Sequence, residues 1–78
     1  MIKAGQVYKN NRSNKEYYRV VSVRENVVNA SMYDFSVPKY ETENHMREKR
    51  VDIFLPHFED TFSPRSEEEL AMKLLKEI

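Results

Sequence analysis

The chain has no cysteine, a single glycine and three prolines in 78 residues. Without cysteine, no disulfide or thiolate–metal staple can support the fold and no thiol nucleophile is available. One glycine leaves no glycine-rich phosphate loop. Charge of either sign is not in excess, with 13 Lys and Arg against 13 Asp and Glu. No stretch approaches the roughly 18 consecutive apolar residues of a membrane-spanning helix, and Met1-Ile2-Lys3-Ala4-Gly5 leads into no apolar leader segment. These absences predict a soluble protein of the cytoplasm, where a lack of cysteine fits the reducing conditions. Asn11 and Asn29 have Asn-x-Ser spacing, which without a secretion signal is chance.

The length allows one domain, residues 1–78, that buries only about 60% of the surface exposed by its unfolded chain. Its stability must therefore come from packing, helped by any partner it has. What the chain does contain is strand sequence. Tyr17 to Val23 and Val27 to Met32 are rich in Val and Tyr and are separated only by Arg24, Glu25 and Asn26, so they predict a β-hairpin. With Glu25-Asn26 as a two-residue turn, Val23 faces Val28, Val21 faces Ala30 and Arg19 faces Met32, with Tyr17 extending this core side. The opposite side then carries Tyr18 opposite Tyr33, Val20 opposite Ser31, Ser22 opposite Asn29 and Arg24 opposite Val27. Of the two turn residues, Asn26 is the one that tolerates positive φ. A three-residue loop would slip the register by one and exchange the faces.

Other elements follow more simply. Gln6 to Lys9 reads as a short strand and Asn10 to Lys15 as a polar loop dense in Asn and Ser. Between Asp34 and Asn44, Phe35, Val37 and Tyr40 read either as part of a third long strand or as an irregular loop, with Pro38 barring a central strand position, and a short polar strand is expected through His45 to Arg50. Val51, Phe54, Leu55 and Phe58 fall at helical spacing. Pro56 limits them to a short turn, capped by Asp52, in which Phe54, Leu55 and Phe58 plug one end of the sheet. The last segment is a helix. Ser66 and Glu69 match a capping box, and Glu67, Glu68 and Glu69 lie where the helix dipole favours negative charge. Leu70, Leu74 and Ile78 form a stripe, broadened by Ala71 and Leu75, that must dock on its own sheet or on another chain. The division is 1–50 mainly β, 51–62 a short helical turn and 63–78 the capped helix.

Charge is distributed unevenly. Residues 1–30 carry Lys3, Lys9, Arg12, Lys15, Arg19 and Arg24 against Glu16 and Glu25, whereas residues 51–78 carry seven acidic groups against Arg65, Lys73 and Lys76. Either an acidic helix lies against a basic sheet, or a basic face is left for an anionic partner.

Candidate chemistry is sparse. His45 and His57 are the only histidines, and His57 with Glu59 and Asp60 lacks the spacing of a metal site. Neither a metal nor a cofactor is expected. The acidic groups do not flank a pocket as general acid and base would, no Ser sits in a nucleophile elbow, and no enzyme activity is predicted. A small ribonuclease toxin using Tyr17, Tyr18, Arg19 and Arg24 is the minor exception. Nucleic-acid binding ranks above it, with Lys9, Arg12, Lys15 and Arg24 on phosphates and Tyr18 and Tyr33 as stacking platforms. Val20 lies on the same face. Protein recognition ranks first, through a sheet edge, the Tyr-bearing face or the helix stripe Leu70, Leu74 and Ile78, including self-association.

The run Lys3-Ala4-Gly5-Gln6-Val7-Tyr8-Lys9 followed by Tyr17-Tyr18-Arg19-Val20-Val21-Ser22-Val23 resembles the start of small SH3-like β-barrel proteins of unknown function found in phages and bacterial mobile elements. The stretch from Val51 to Phe58 is similar to the helical turn near the end of such barrels, while the helix after Ser66 is additional. The resemblance implies an accessory protein acting on host or phage macromolecules, in the host cytoplasm if phage-encoded, and carries over no site residues. The expected fold is α+β: a strongly bent, barrel-like antiparallel sheet of four or five strands with a short helical turn and a C-terminal amphipathic helix.

Overall fold

The computed structural model describes residues 2–36 and 48–76. Five strands, β1 (Val7–Asn10), β2 (Glu16–Arg24), β3 (Val27–Asp34), β4 (Glu48–Phe54) and β5 (Phe62–Arg65), are joined by two helices, α1 (Leu55–Thr61) and α2 (Glu67–Lys76). All pairings are antiparallel, in the order β4-β3-β2-β1-β5. The two outermost strands do not pair with each other, so the sheet is open. The expected barrel-like curl is absent; the fold is α+β, with an open five-stranded sheet and a helix on each face.

The hairpin forms where predicted, with Arg24 opposite Val27 and Val23 opposite Val28. Positive φ falls on Glu25 (53°) and not on Asn26. A tight turn in which only the first central residue crosses to positive φ is of type II′, so the strained position is the first and the expectation for Asn26 is corrected.

The register then departs from simple alternation. Ser22 pairs with Asn29 but Val20 pairs with Ala30, which leaves Val21 as the extra residue of a β-bulge. Beyond the bulge every partner shifts by one: Arg19 faces Ser31, Tyr18 faces Met32 and Tyr17 faces Tyr33. A one-residue shift exchanges the faces, so the expected pairs Tyr18 with Tyr33 and Arg19 with Met32 do not form.

Two small cores result. On one face Tyr8, Tyr18, Val20, Val28 and Ala30 pack with Phe58 and Phe62, flanked by Ile2, Val23, Met32, Val51, Ile53 and Leu55. Phe58 is fully buried; its ring meets Tyr8 edge-on at 4.9 Å and Phe62 at 4.5 Å, while Phe62 stacks on Tyr18 at 4.5 Å. On the other face Val7, Tyr17 and Tyr33 pack with Leu70, flanked by Phe35 and Leu74. The adjacent tyrosines 17 and 18 point to opposite sides, as strand pleating requires, and each is covered by a different helix.

Residues 51–54 are the end of β4, not part of a helical turn. Their side chains alternate across the sheet, with Val51 and Ile53 beside the α1 core and Asp52 bonded to Asn29 on the other face (2.7 Å). Asp52 therefore caps nothing, and the N-cap of α1 is Phe54, which makes no side-chain cap bond. Pro56 is accommodated in the first turn, where its missing amide would have had no helical partner. Phe58 and half-buried Leu55 cover the sheet as expected, but Phe54 is 59% exposed.

The C-terminal helix docks on its own sheet. Leu70 is fully buried and Leu74 packs beside it, whereas Ile78 lies outside the described residues. The Glu69 amide donates to Ser66 Oγ at 3.1 Å, which is half of the expected capping box. The Glu69 carboxylate does not return to Ser66; it accepts from the Tyr17 hydroxyl at 2.5 Å.

Candidate functional surface

The predicted basic and aromatic set is dispersed by the fold. Tyr18, Val20 and Tyr33 are buried, the first two under α1 and the third in the α2 core. Arg12 and Lys15 are exposed in the β1–β2 connection next to half-buried Lys9, while Arg24 is at the far end of β2. Eight strand residues, Glu16 to Val23, lie between Lys15 and Arg24, a separation of about 27 Å. Among the described residues no tyrosine platform joins them, because the bulge at Val21 turned Tyr18 inward and α2 covered Tyr33.

Each buried phenol has a partner. The Tyr8 hydroxyl donates to Gln6 Oε1 (3.1 Å), Tyr17 to Glu69, and Tyr18 to Glu16 Oε1 (2.8 Å), while the Tyr33 oxygen accepts from Arg19 Nη1 (3.2 Å). Burial, and then the bonded Glu69 carboxylate, push the Tyr17 phenol up to about 12. Burial and the hydrogen-bonded Glu16 raise Tyr18 further, and burial also raises Tyr8 and Tyr33. All are protonated at neutral pH. Of the four residues grouped for RNA cleavage, Tyr17 and Tyr18 face opposite sides, Arg19 is paired with Glu67, and Arg24 lies beside the turn.

That Arg19–Glu67 pair, together with Arg65–Glu69 at 3.9 Å and Lys73 over the Tyr17 ring at 5.9 Å, joins the acidic start of α2 to the sheet. Part of the charge asymmetry is thus cancelled internally. His57 is exposed on α1, with Nδ1 3.4 Å from Thr61 Oγ1, and no group of three His, Asp or Glu stands at metal-binding distance among the described residues. His45 lies outside them. Nor do the described residues enclose a cleft or cavity, and no described helix is long and apolar enough to cross a membrane.

What the structure does present is an edge. Of the two outer strands, β5 is four residues long and contains Pro64, a residue that blocks strand addition. β4 is seven residues long, and among the described residues no strand lies on its outer side. The Leu55 amide donates to the Asn26 carbonyl (2.6 Å), extending the β3–β4 register, in which Phe54 faces Val27, by one step. Antiparallel alternation then directs the backbone groups of Lys49, Val51 and Ile53 toward β3 and those of Glu48, Arg50, Asp52 and Phe54 outward.

Side chains along this edge are ordered too. Asn29 on β3 donates to Asp52 Oδ1 (2.7 Å) and accepts from Arg50 Nη1 (3.2 Å), holding opposite charges on one face. Phe54 and its partner Val27 are exposed on the same face, outside the α2 core. The sequence contained a signal for this strand, since Arg50, Asp52 and Phe54 alternate with Val51 and Ile53 at period two. The helical spacing of Val51, Phe54, Leu55 and Phe58 masked it.

The class defined here is a small α+β protein with an open antiparallel sheet, one helix on each face and one long edge that no described strand covers. No protein-family model, curated protein or solved structure matches the chain.

Proposed function

We propose that this chain is a non-catalytic protein-binding module that engages its partner by strand addition at β4. The observation that carries the proposal is the outward row of backbone amides and carbonyls at Glu48, Arg50, Asp52 and Phe54, flanked by the exposed Phe54 and Val27 side chains. Strand addition draws affinity from main-chain hydrogen bonds and specificity from alternate side chains, and β4 offers both. The nucleic-acid reading has weaker support, because among the described residues Lys9, Arg12 and Lys15 have no exposed tyrosine beside them. With the sheet open, the phage or mobile-element setting implied by the barrel resemblance loses its footing, and the binding role rests on the edge alone.

Asp52→Pro tests this. The residue 52 amide points away from β3, so proline removes an outward donor without breaking the β3–β4 ladder. Tagged wild-type and variant chains are recovered from the native host, and the co-purifying material is identified by mass spectrometry and by absorbance at nucleic-acid wavelengths. Stoichiometric protein captured by the wild type and lost from folded Asp52→Pro is expected. Equal capture by both chains, or nucleic acid alone, would overturn the proposal.

A further inference from the structure

Resting on that edge reading, we infer that the partner at β4 is a second copy of this chain, paired antiparallel about a two-fold axis at Val51. The charge sequence of the strand, Glu48-Lys49-Arg50-Val51-Asp52-Ile53-Phe54, selects this pairing. A two-fold axis perpendicular to the sheet keeps each face continuous between copies, so a residue can only oppose one of the same parity. Three such registers overlap by five or more residues of β4.

Centring on Arg50 sets Arg50 against itself and Glu48 against Asp52. Centring on Asp52 sets Asp52 against itself. Both place like charges directly opposite, which is destabilising. Centring on Val51 overlaps all seven residues and sets Arg50 opposite Asp52 of the second copy, twice by symmetry. The register of full overlap is thus also the only one of the three with matched charges.

Four features of the fold prepare this arrangement. Asn29 already holds Arg50 and Asp52 side by side, so pairing creates a square of alternating charge. The outward backbone groups belong to Glu48, Arg50, Asp52 and Phe54, and Arg50 and Asp52 would therefore form the hydrogen-bonded pairs, with Val51 meeting Val51 in the closer, non-hydrogen-bonded site. On the α1 face, half-buried Val51 and Ile53 border the core, so the apolar layer continues across the axis, with the Lys49 stem over Ile53 of the second copy. The α2 helix packs on Val7, Tyr17 and Tyr33 and leaves the charged face of β4 uncovered.

A seven-residue strand pair is a small interface, so dissociation constants on the order of 10 to 100 µM are expected. Sedimentation velocity of the full chain from about 5 to 500 µM reads the equilibrium directly. Arg50→Asp and Asp52→Arg should each weaken the dimer about tenfold or more, and the double exchange should restore it, because the charges are matched again in swapped positions.

The absence of native cysteine allows a second, independent readout. Val51→Cys places two thiols across the closest pair, with Cα atoms about 4.5 Å apart, within disulfide reach. Oxidised glutathione should cross-link Val51→Cys, while Arg50→Cys and Asp52→Cys, diagonal to their own copies at about 7 to 8 Å, should stay largely monomeric.

A single-chain mass at every concentration, preferential cross-linking at position 50 or 52, or failure of the double exchange to rescue would each overturn the inference. A monomer whose captured protein is lost on Asp52→Pro would refute self-pairing and leave the edge reading standing. A monomer with no edge-dependent capture would remove both.

Discussion

Leu70→Ala is the most direct probe of what holds this small sheet together. Leu70 is fully buried between α2 and the sheet residues Val7, Tyr17 and Tyr33. Replacing Leu by Ala removes three carbons, worth about 2.4 kcal/mol at roughly 0.8 kcal/mol per buried methylene. The cavity left against rigid strand side chains adds to this, for a total of about 3 to 4 kcal/mol. A domain of this length has on the order of 4 to 12 kcal/mol of stability, so the variant should fold but with little margin. In urea, with a slope of about 1 kcal/mol/M, the unfolding midpoint should fall by about 3 to 4 M at unchanged slope. Leu75 on the same helix is 63% exposed, and Leu75→Ala should cost no more than about 0.5 kcal/mol. Both are measured by urea titration followed by far-UV circular dichroism at two protein concentrations. A Leu70→Ala loss below about 1 kcal/mol, or a loss no larger than that of Leu75→Ala, would show that α2 does not dock as described.

Two further tests address the turn and the buried phenols. Glu25 adopts φ 53° at the first turn position, so Glu25→Gly should relieve a left-handed strain of about 1 to 2 kcal/mol while adding up to about 1 kcal/mol of unfolded-state freedom. The melting temperature should rise by a few degrees, and a fall would refute the assigned strain. The Tyr17 phenol is raised from 10.0 to about 12 by burial and the Glu69 hydrogen bond. The folded chain therefore holds a proton that the unfolded chain releases, so this stabilisation is complete below pH 10 and is lost as pH climbs through 12. The advantage of wild type over Tyr17→Phe should shrink by about 2 kcal/mol between pH 9 and 12 in urea titrations. A difference that is constant with pH would exclude the Tyr17–Glu69 bond as its source.

Much of the local structure was legible from residue patterns. The hairpin follows from two Val- and Tyr-rich runs with a connector too short for anything but antiparallel strands, and α2 follows from a Ser66 cap, an acidic first turn and a leucine stripe. The bulge at Val21 had no such mark. Val20-Val21-Ser22 alternates no better with an extra residue than without one, so which tyrosine of Tyr17-Tyr18 faced which helix was undetermined, and the candidate binding face joined Tyr18 and Val20 to Tyr33, from which the bulge separates them. The candidate edge was hidden for another reason. Val51, Phe54, Leu55 and Phe58 satisfy helical spacing across a boundary where strand becomes helix, and periodicity alone cannot place that boundary.

The amino-acid order by itself determined that the chain would form an antiparallel sheet with a capped, amphipathic C-terminal helix, because turn length, strand composition and end-capping act between residues near in sequence. Only the tertiary structure decided which side of the sheet Tyr8, Tyr17, Tyr18 and Tyr33 occupy, that the sheet stays open and that β4 forms the long edge of the described sheet. Those outcomes depend on competition among distant surfaces for a limited core: Phe58 takes one face, Leu70 the other, and the strand left at the margin keeps its hydrogen-bonding groups unpaired among the described residues.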